Sequence, residues 1–235
     1  MTDKSKLETW LRSGDGEESV IIPAATVVLV REKAGSLETL MLKKNSKLAF
    51  GGMWVFPGGK IDDADREGAP DIETAAKRAA VREAAEEAGL VVDEGSLAWI
   101  SHWLPPALAP KRFATYFFVA PAPAGAVTID GGEIHDEAWM RPADALTRRD
   151  ALEIELAPPT WVTLHDMARF DTVDALMADA NAREPEFYET HMGKGEGGMF
   201  ALWEGDAGYE SGDADAPGPR HRLLMSRDGS WTLER

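Results

Sequence analysis

Cysteine is absent from this chain of 235 residues, which excludes a disulfide framework and thiol chemistry. Basic residues are scarce: 25 Lys and Arg stand against 41 Asp and Glu, and the formal net charge is −16. Nucleic acid and anionic membranes both need basic surface, so this charge balance excludes them as expected partners. No apolar run approaches the about 18 residues of a membrane helix, and the first 19 residues contain no apolar signal-peptide core. We therefore expect a cytoplasmic protein.

Apolar residues are plentiful, at 44% of the chain, so a sizeable core is expected. The length fits one large domain, or one domain with an appended piece. Composition divides the chain into a polar N-terminal segment (1–18), a main domain (19–183) and a C-terminal β extension (184–235). The extension is rich in Gly and Asp and has too few apolar residues to fold alone. We expect it to pack on the main domain.

Local patterns predict alternating strands and helices. Strands are expected at SVIIPAATVVLVRE, LETLMLKK, LAWISHWL, RFATYFFVAP and the end of GAVTIDGGEIHDEAWM, with KAGS as a hairpin loop. Helices are expected at IETAAKRAAVREAAEEAGL, where Gly89 is the stop signal, and at PADALTRRD, PPTWVTLHDMARF and TVDALMADAN. KIDDADREGAPD is predicted to be a charged loop, and the extension to contain two strands, MFALWEG and HRLLMSR.

The segment REAAEEAG concentrates negative charge on one helix face. Glu83, Glu86 and Glu87 have i, i+3, i+4 spacing, and like charges that close destabilise a helix. They also lie near Gly89, at the negative end of the helix dipole. A solvated acidic face is one interpretation. The other is a site for a hard divalent cation, which prefers carboxylate oxygens together with substrate phosphates.

Residues 57–90 resemble the signature of the Nudix hydrolases. Gly59 matches the glycine of that signature, and the REUxEExGU core, in which U is aliphatic, matches Arg82, Glu83, Glu86, Glu87, Gly89 and Leu90. Three features depart from the pattern: Ala84 takes an aliphatic place, Thr74 takes the place of the isolated glutamate, and the stretch after Gly59 is longer. A longer loop is typical of the subset that includes peroxisomal coenzyme A diphosphatases and their bacterial relatives. KKNSKLAFGGMWVFPGG, PKRFATYFFVA and LAPPTWVTLHDM also resemble that subset, although Leu48 stands beside Lys47 where relatives tend to have arginine.

The resemblance implies an α/β fold: an α/β/α sandwich with a mixed sheet and a loop–helix–loop catalytic motif. It implies hydrolysis of a diphosphate linkage in a nucleoside diphosphate joined to another moiety, with Mg²⁺ or Mn²⁺ as cofactor. The implied metal ligands are Glu83, Glu86, Glu87 and Gly59. Arg82 is expected to orient the glutamates, and Gly58 and Gly59 to form a tight turn that directs carbonyls at the metal.

The attacking water must lose a proton, and two candidate bases are open. One is a glutamate of the signature segment 57–90, called the box below, such as Glu86. The other is Glu133 in the loop GGEIHDEAW, with Glu137 as a neighbouring surface acid. Gly58 and Arg112 are the predicted substrate contacts, although a strand-end charge explains Arg112 equally well. Trp54 and Trp103 are expected to fill the core.

Two other functions compete with the hydrolase. A Nudix-like sensor would bind a nucleotide diphosphate without cleaving it, but such domains usually lose box glutamates, and all three are present here. An interaction protein with an acidic helix leaves the coincidence of glycine loop and REAAEEAG unexplained. The diphosphate substrate stays open among coenzyme A derivatives, ADP-ribose, NADH and diphosphate sugars. Whether the chain is a monomer or a homodimer is also open, since many relatives dimerise.

Overall fold

The structure is a computed structural model that describes residues 20–45, 51–107, 109 and 111–235. The N-terminal segment and the Lys47–Leu48 departure lie outside the described residues. The described chain divides into two compact units. The larger comprises Pro23–His102 and Thr115–Glu186; the smaller comprises Trp103–Ala114, Phe187–Arg235 and the described residues up to Ile22.

Twelve strands and five helices make up the described chain. The strands are β1 Val20–Lys33, β2 Ser36–Lys44, β3 Trp54–Val55, β4 Gly58–Lys60, β5 Ala98–Leu104, β6 Lys111–Pro121, β7 Ile134–Met140, β8 Glu186–Glu189, β9 His191–Gly195, β10 Gly198–Leu202, β11 Arg222–Ser226 and β12 Trp231–Glu234. The helices are α1 Asp63–Arg66, α2 Ile72–Ala88, α3 Pro142–Asp150, α4 Pro158–Met167 and α5 Val173–Ala182. A 3₁₀ turn spans Glu94–Ser96. The predicted α/β fold is confirmed.

The sheet of the larger unit is built around the predicted hairpin. Its strands are ordered β3-β2-β1-β6-β5, with β4 paired to β1 and β7 to β2. β1 and β2 are joined by a two-residue turn at Ala34 and Gly35, which both have positive φ, as a type I′ hairpin requires. Residues 24–30 of β1 are buried without alternation, so this strand is covered on both faces.

Helix α2 carries REAAEEAG and packs through an alanine face. Asp71 caps its N-terminus by accepting a hydrogen bond from the Thr74 amide at 2.8 Å, and Gly89 ends it in the left-handed conformation with φ 67°. Six alanines at helical spacing are buried against the sheet: Ala75, Ala76, Ala79, Ala80, Ala84 and Ala88. Their small side chains let the helix axis approach the strands closely, which places the glutamates beside β4.

The segment after β4 was predicted to be a charged loop throughout. That prediction is wrong in one respect, because the segment contains helix α1. The Asp62 amide donates to Asp65 Oδ2 at 2.9 Å, which caps the short helix. Asp65 is only 5% exposed. A long-range partner on α2 holds this carboxylate, and that contact was not visible in the local sequence.

The smaller unit contains more strands than the two predicted in the extension. An antiparallel sheet in the order β12-β11-β10-β9 holds MFAL and RLLMS, as expected, together with β9 and β12. Within this unit, the Thr190 amide just after β8 donates to the carbonyl of Leu104. The β9 segment HMGKG lacks apolar alternation, so its strand state depends on pairing with β10. That the extension packs on the main domain stays a prediction.

Candidate active site

Two consecutive glycines on β4 bring that strand into contact with α2. Gly58 and Gly59 pair with Thr26 and Ala25 of β1, so they lie in a strand and the predicted tight turn is wrong. The glycines are needed for close approach rather than for conformation. A Cβ on Gly58 would overlap the Thr26 side chain, and a Cβ on Gly59 would overlap the carboxylate of Glu83.

Arg82 uses all five of its N–H groups within the site. Nε donates to Asp65 Oδ1 at 3.2 Å, and Nη2 donates to Asp65 Oδ2 at 3.0 Å and to the Lys60 carbonyl at 2.9 Å. The other nitrogen, Nη1, donates to Glu83 Oε1 at 2.8 Å and to Glu86 Oε2 at 3.0 Å. A guanidinium has five such donors, so Arg82 has none left for a phosphate. The geometry fits the orienting role expected for it.

Glu83 and Glu86 therefore converge on a single nitrogen atom. The Glu83 side chain is 15% exposed and that of Glu86 is 59% exposed. Burial raises the pKa of Glu83 above its ordinary value of 4.5; Arg82 lowers it, and the Glu86 carboxylate raises it again. Two carboxylates this close are a favourable place for added positive charge.

Glu87 lies on the inner side of the helix and is 4% exposed. Its Oε2 accepts from the Gly58 amide at 2.9 Å, and its Oε1 accepts from Lys44 Nζ at 3.0 Å. Burial raises the pKa of this carboxyl, against the lowering influence of Lys44 and the Gly58 amide. The three box glutamates thus form one electrostatic group, two of them held by Arg82 and the third by Lys44.

The Glu133 loop reaches the same group through Lys44. Lys44 Nζ lies 3.8 Å from Glu133 Oε2, and the Glu133 side chain is 61% exposed. The loop backbone is held at the end of β2, because the Asn45 amide donates to the Glu133 carbonyl at 2.8 Å and Asn45 Nδ2 donates to the Gly132 carbonyl. Asp130 accepts hydrogen bonds from the amides of Glu133 and Ile134. A carboxylate is thus placed near the box by an ordered loop.

The other predicted residues are found in different surroundings. Glu137 lies on β7 opposite Leu42 of β2. Arg112 belongs to the smaller unit, where its Nε donates to the Pro105 carbonyl at 2.7 Å, and its role as a substrate contact stays a prediction. Trp54 and Trp103 are buried, which confirms the expectation that both fill the core.

The described residues contain no group of three or more His, Asp or Glu side chains already disposed as a metal site. The reason is visible in the contacts, since the box carboxylates face Arg82 and Lys44. The donor set nevertheless fits a hard divalent cation. Carboxylate oxygens are the ligands that Mg²⁺ and Mn²⁺ prefer, and two of them meet at one cationic nitrogen.

Residues 21–160 match the family model described as the NUDIX domain, which is more than half of the chain. The protein belongs to the Nudix family. A similar solved structure is the Nudix hydrolase from Alicyclobacillus acidocaldarius, with a TM-score of 0.64 and 24% identity over 68% of this chain and 96% of that one. The likeness shows that the two share a fold.

Two further Nudix structures are similar at lower scores. The MutT Nudix hydrolase from Burkholderia pseudomallei has a TM-score of 0.48 and 20% identity, over 63% of this chain and 98% of that one. The Nudix domain of Shewanella oneidensis NrtR, complexed with ADP-ribose, has a TM-score of 0.48 and 22% identity, over 72% of this chain and 97% of that one. No curated protein matches this Nudix chain. No helix within the described ranges is long and apolar enough to cross a membrane.

Two residues of the site were missed in the sequence. The local sequence predicts only a charged loop around Asp65 and a strand end at Lys44. The spacing of Asp62 and Asp65 just after an apolar residue was the one signal for a capped turn. Nothing in the sequence places Lys44 beside Glu87, because 43 residues separate them and the contact depends on sheet geometry.

Gly59→Ala is expected to lower kcat about 10²-fold, because the added methyl group would displace the Glu83 carboxylate and a 1 Å error in position is sufficient for such a loss. Steady-state kinetics measures the effect. Gly95→Ala is the matched control, since a Cβ there meets only the Asp93 side chain at ordinary contact distance. Equal rates for the Gly59 variant and wild type would contradict the close packing of this glycine against Glu83.

Proposed function

We propose that this Nudix protein hydrolyses a diphosphate linkage in a nucleoside diphosphate joined to another moiety, with Mg²⁺ or Mn²⁺ as cofactor. The proposal is carried by one observation: the carboxylates of Glu83 and Glu86 meet at one nitrogen of an otherwise saturated Arg82, beside a glycine strand. A diphosphate is polyanionic, so carboxylates alone would repel it. Their arrangement makes chemical sense when a divalent cation lies between them and the substrate.

The residues have separate roles in this proposal. Glu83, Glu86 and Glu87, with the Gly59 carbonyl, would hold the metal, which when bound neutralises phosphate charge and acidifies the attacking water. Arg82 keeps Glu83 and Glu86 in place and does not bind phosphate, since its donors are used. Lys44 compensates the buried charge of Glu87. Glu133 would accept the proton of the water, and Gly58 would contact the substrate.

For the substrate we propose a coenzyme A derivative, on the strength of the long stretch after Gly59 and the resemblance described above. The competing substrates share the same reactive group and differ in the attached moiety: ADP-ribose, NADH and diphosphate sugars. We also propose that residues 19–183 form the hydrolase domain and that 184–235 is an appended extension of it.

The test is a panel of these diphosphates incubated with the full chain and analysed by mass spectrometry, with Mg²⁺, with Mn²⁺ and with EDTA. We expect two phosphate-containing products from one substrate class, only with metal. The melting temperature should also rise on metal addition, since a ligand at 100 times its Kd stabilises the folded state by about 2.7 kcal/mol. Binding of a nucleotide diphosphate without cleavage would refute the hydrolase function and support a sensor. Undiminished cleavage in EDTA, with an unchanged melting curve, would refute metal dependence.

If Glu133 is the general base, Glu133→Gln is expected to lower kcat about 10²-fold, at the lower end of what a positioned base contributes. The variant should keep its metal-dependent rise in melting temperature, because Glu133 is mostly exposed and is held by Lys44. Glu137→Gln is the control from the same segment and should retain wild-type kinetics. Recovery of the full rate of Glu133→Gln at excess Mg²⁺ would instead identify Glu133 as a metal ligand and leave the base role to Glu86.

A further inference from the structure

The smaller unit contains a cavity of about 340 Å³ to which no box residue contributes. It is lined by one face of strands β10, β11 and β12, by residues of the loop from Ala214 to Arg220, and by Glu196 of the β9–β10 turn. Ligand pockets in proteins have volumes of about 300–1,000 Å³, so this cavity has room for a small molecule. The side chains around it determine which kind of molecule fits.

Two cross-strand pairs give the cavity an apolar end and a charged end. Phe200 of β10 lies opposite Leu224 of β11, and Arg222 of β11 lies opposite Glu234 of β12. Leu224 and Arg222 are two residues apart on one strand, so their side chains leave the same face of the sheet at positions about 7 Å apart. A ligand held here therefore meets an apolar surface and, one side-chain position further along, two opposite charges.

Arg222 is a buried cation with unused hydrogen-bond donors. Its side chain is 2% exposed. Nε and Nη2 donate to the Asp206 carboxylate at 2.6 Å each, and Nη1 donates to the Ala214 carbonyl at 2.5 Å. A guanidinium has five N–H groups, so one on Nη1 and one on Nη2 make no bond to the described part of the chain. Most buried N–H groups are hydrogen-bonded, and a carboxylate in the cavity would supply the missing acceptors.

The loop adds a second basic group and a second acidic group. Arg220 donates to the Ala216 carbonyl at 2.7 Å and forms no ion pair with the described residues. Asp215 accepts the Glu196 amide at 3.2 Å through each of its oxygens. The lining thus contains two guanidinium groups and three carboxylates. A ligand with charge of one sign meets like charges here, whereas a ligand that carries both signs can pair with each.

We propose that this cavity binds a small zwitterion with an apolar body, of which a free aliphatic amino acid is the simplest example. Its carboxylate accepts hydrogen bonds from Arg222 and Arg220. Its ammonium pairs with Glu234, whose Oε2 lies 3.9 Å from Arg222 Nε. Its alkyl chain packs on Phe200 and Leu224. The site goes beyond the proposed hydrolase function and does not depend on it, because none of these residues has a role in that function.

Three probes that differ by one group test the proposal, with binding to the full chain followed by NMR shifts of the backbone amides. L-Leucine has all three features, 4-methylpentanoate lacks the ammonium, and 3-methylbutylamine lacks the carboxylate. We expect leucine to bind and each analogue to bind about tenfold more weakly or worse, because each loses hydrogen bonds between charged groups. No shift with leucine up to about 10 mM, or equal affinity for either analogue, overturns the proposal.

The same spectra locate the bound molecule without any substitution. Leucine is expected to shift the amides of Gly198–Leu202 on β10 and Arg222–Ser226 on β11, since these strands line the cavity. Shifts confined to the box, residues 57–90, would refute the proposed site.

Arg220→Gln should weaken leucine binding about tenfold and leave the affinity for 3-methylbutylamine unchanged, because the amine has no carboxylate for Arg220 to bind. Arg227→Gln is the matched control: it makes the same substitution at an exposed position between β11 and β12 that does not line the cavity. Wild-type affinity for leucine in a folded Arg220→Gln protein overturns the proposal. If that variant does not fold, Glu234→Gln decides: lost leucine affinity with retained 4-methylpentanoate affinity supports the site, and unchanged leucine affinity refutes it.

Discussion

Glu86→Gln is expected to lower kcat by about 10³-fold with almost no loss of stability. A neutral amide is a poor ligand for a hard cation, and a catalytic metal supplies several kcal/mol of charge stabilisation, each 1.36 kcal/mol of which is tenfold in rate. The fold should tolerate the change, because the Glu86 side chain is 59% exposed and its ion pair with Arg82 is of the i,i+4 kind. Such exposed pairs contribute about 0.2–1 kcal/mol or less.

Steady-state kinetics and metal-free thermal unfolding, measured on the same samples, separate these effects. Glu73→Gln is the matched control: it makes the same substitution on the same helix, where Glu73 forms an i,i+4 ion pair with Lys77 at 2.8 Å. Thr74→Ala should also keep its rate, because the change removes only a hydroxyl that donates to the capping residue Asp71 at the start of the helix. A wild-type rate for Glu86→Gln, or an inactive Thr74→Ala enzyme, would show that the family signature is aligned wrongly with residues 57–90.

Asp206→Asn is expected to destabilise the smaller unit by about 3–5 kcal/mol, the usual loss when one member of a buried ion pair is removed. Asp206 accepts two 2.6 Å bonds from Arg222, whose side chain is 2% exposed, and further bonds from the amides of Gly208 and His221. With the charge gone, the buried Arg222 guanidinium keeps only the more distant carboxylate of Glu234, at 3.9 Å and 41% exposed. Hydrogen exchange of amides in β10 and β11 measures the loss in that unit.

The pH dependence provides a second test of the same pair. Burial would raise the pKa of Asp206, but Arg222 and the two amides hold it below its ordinary value of 3.8. A lowered pKa means that the stabilisation is present above 3.8 and is lost as the pH falls through the folded-state value. The advantage of wild type over Asp206→Asn should therefore shrink in that acidic range. Asp213→Asn, at an exposed position of the same unit, should stay within about 0.5 kcal/mol of wild type, and an equal loss there would contradict the argument.

Much of the fold was predictable from local signals that do not depend on distant residues. The hairpin turn at Ala34 and Gly35, the alanine-rich helix with its glycine stop, and Pro142 at the start of α3 were all recognisable. Each is a preference of a few neighbouring residues. The grouping of Glu83 and Glu86 follows in the same way, since helical spacing alone places them together.

The errors came from features that depend on long-range contacts. The glycine pair was predicted as a turn but forms strand β4, because pairing with β1 outweighs local turn chemistry. The stretch KIDDADREGAPD was predicted as a loop, and its helix α1 is stabilised by an arginine 17 residues away from Asp65. β9 has too few apolar residues to be recognised without its neighbour β10.

The sequence by itself determined the family, the box helix and the clustering of its carboxylates, because motif residues and helical periodicity act over one or two turns. Only the tertiary structure decided how that charge is compensated. Arg82 binds Asp65 and the Lys60 carbonyl as well as the glutamates, and Lys44 of strand β2 reaches Glu87. Such ion pairs form where folding brings distant segments within about 3 Å, and no local pattern encodes that distance.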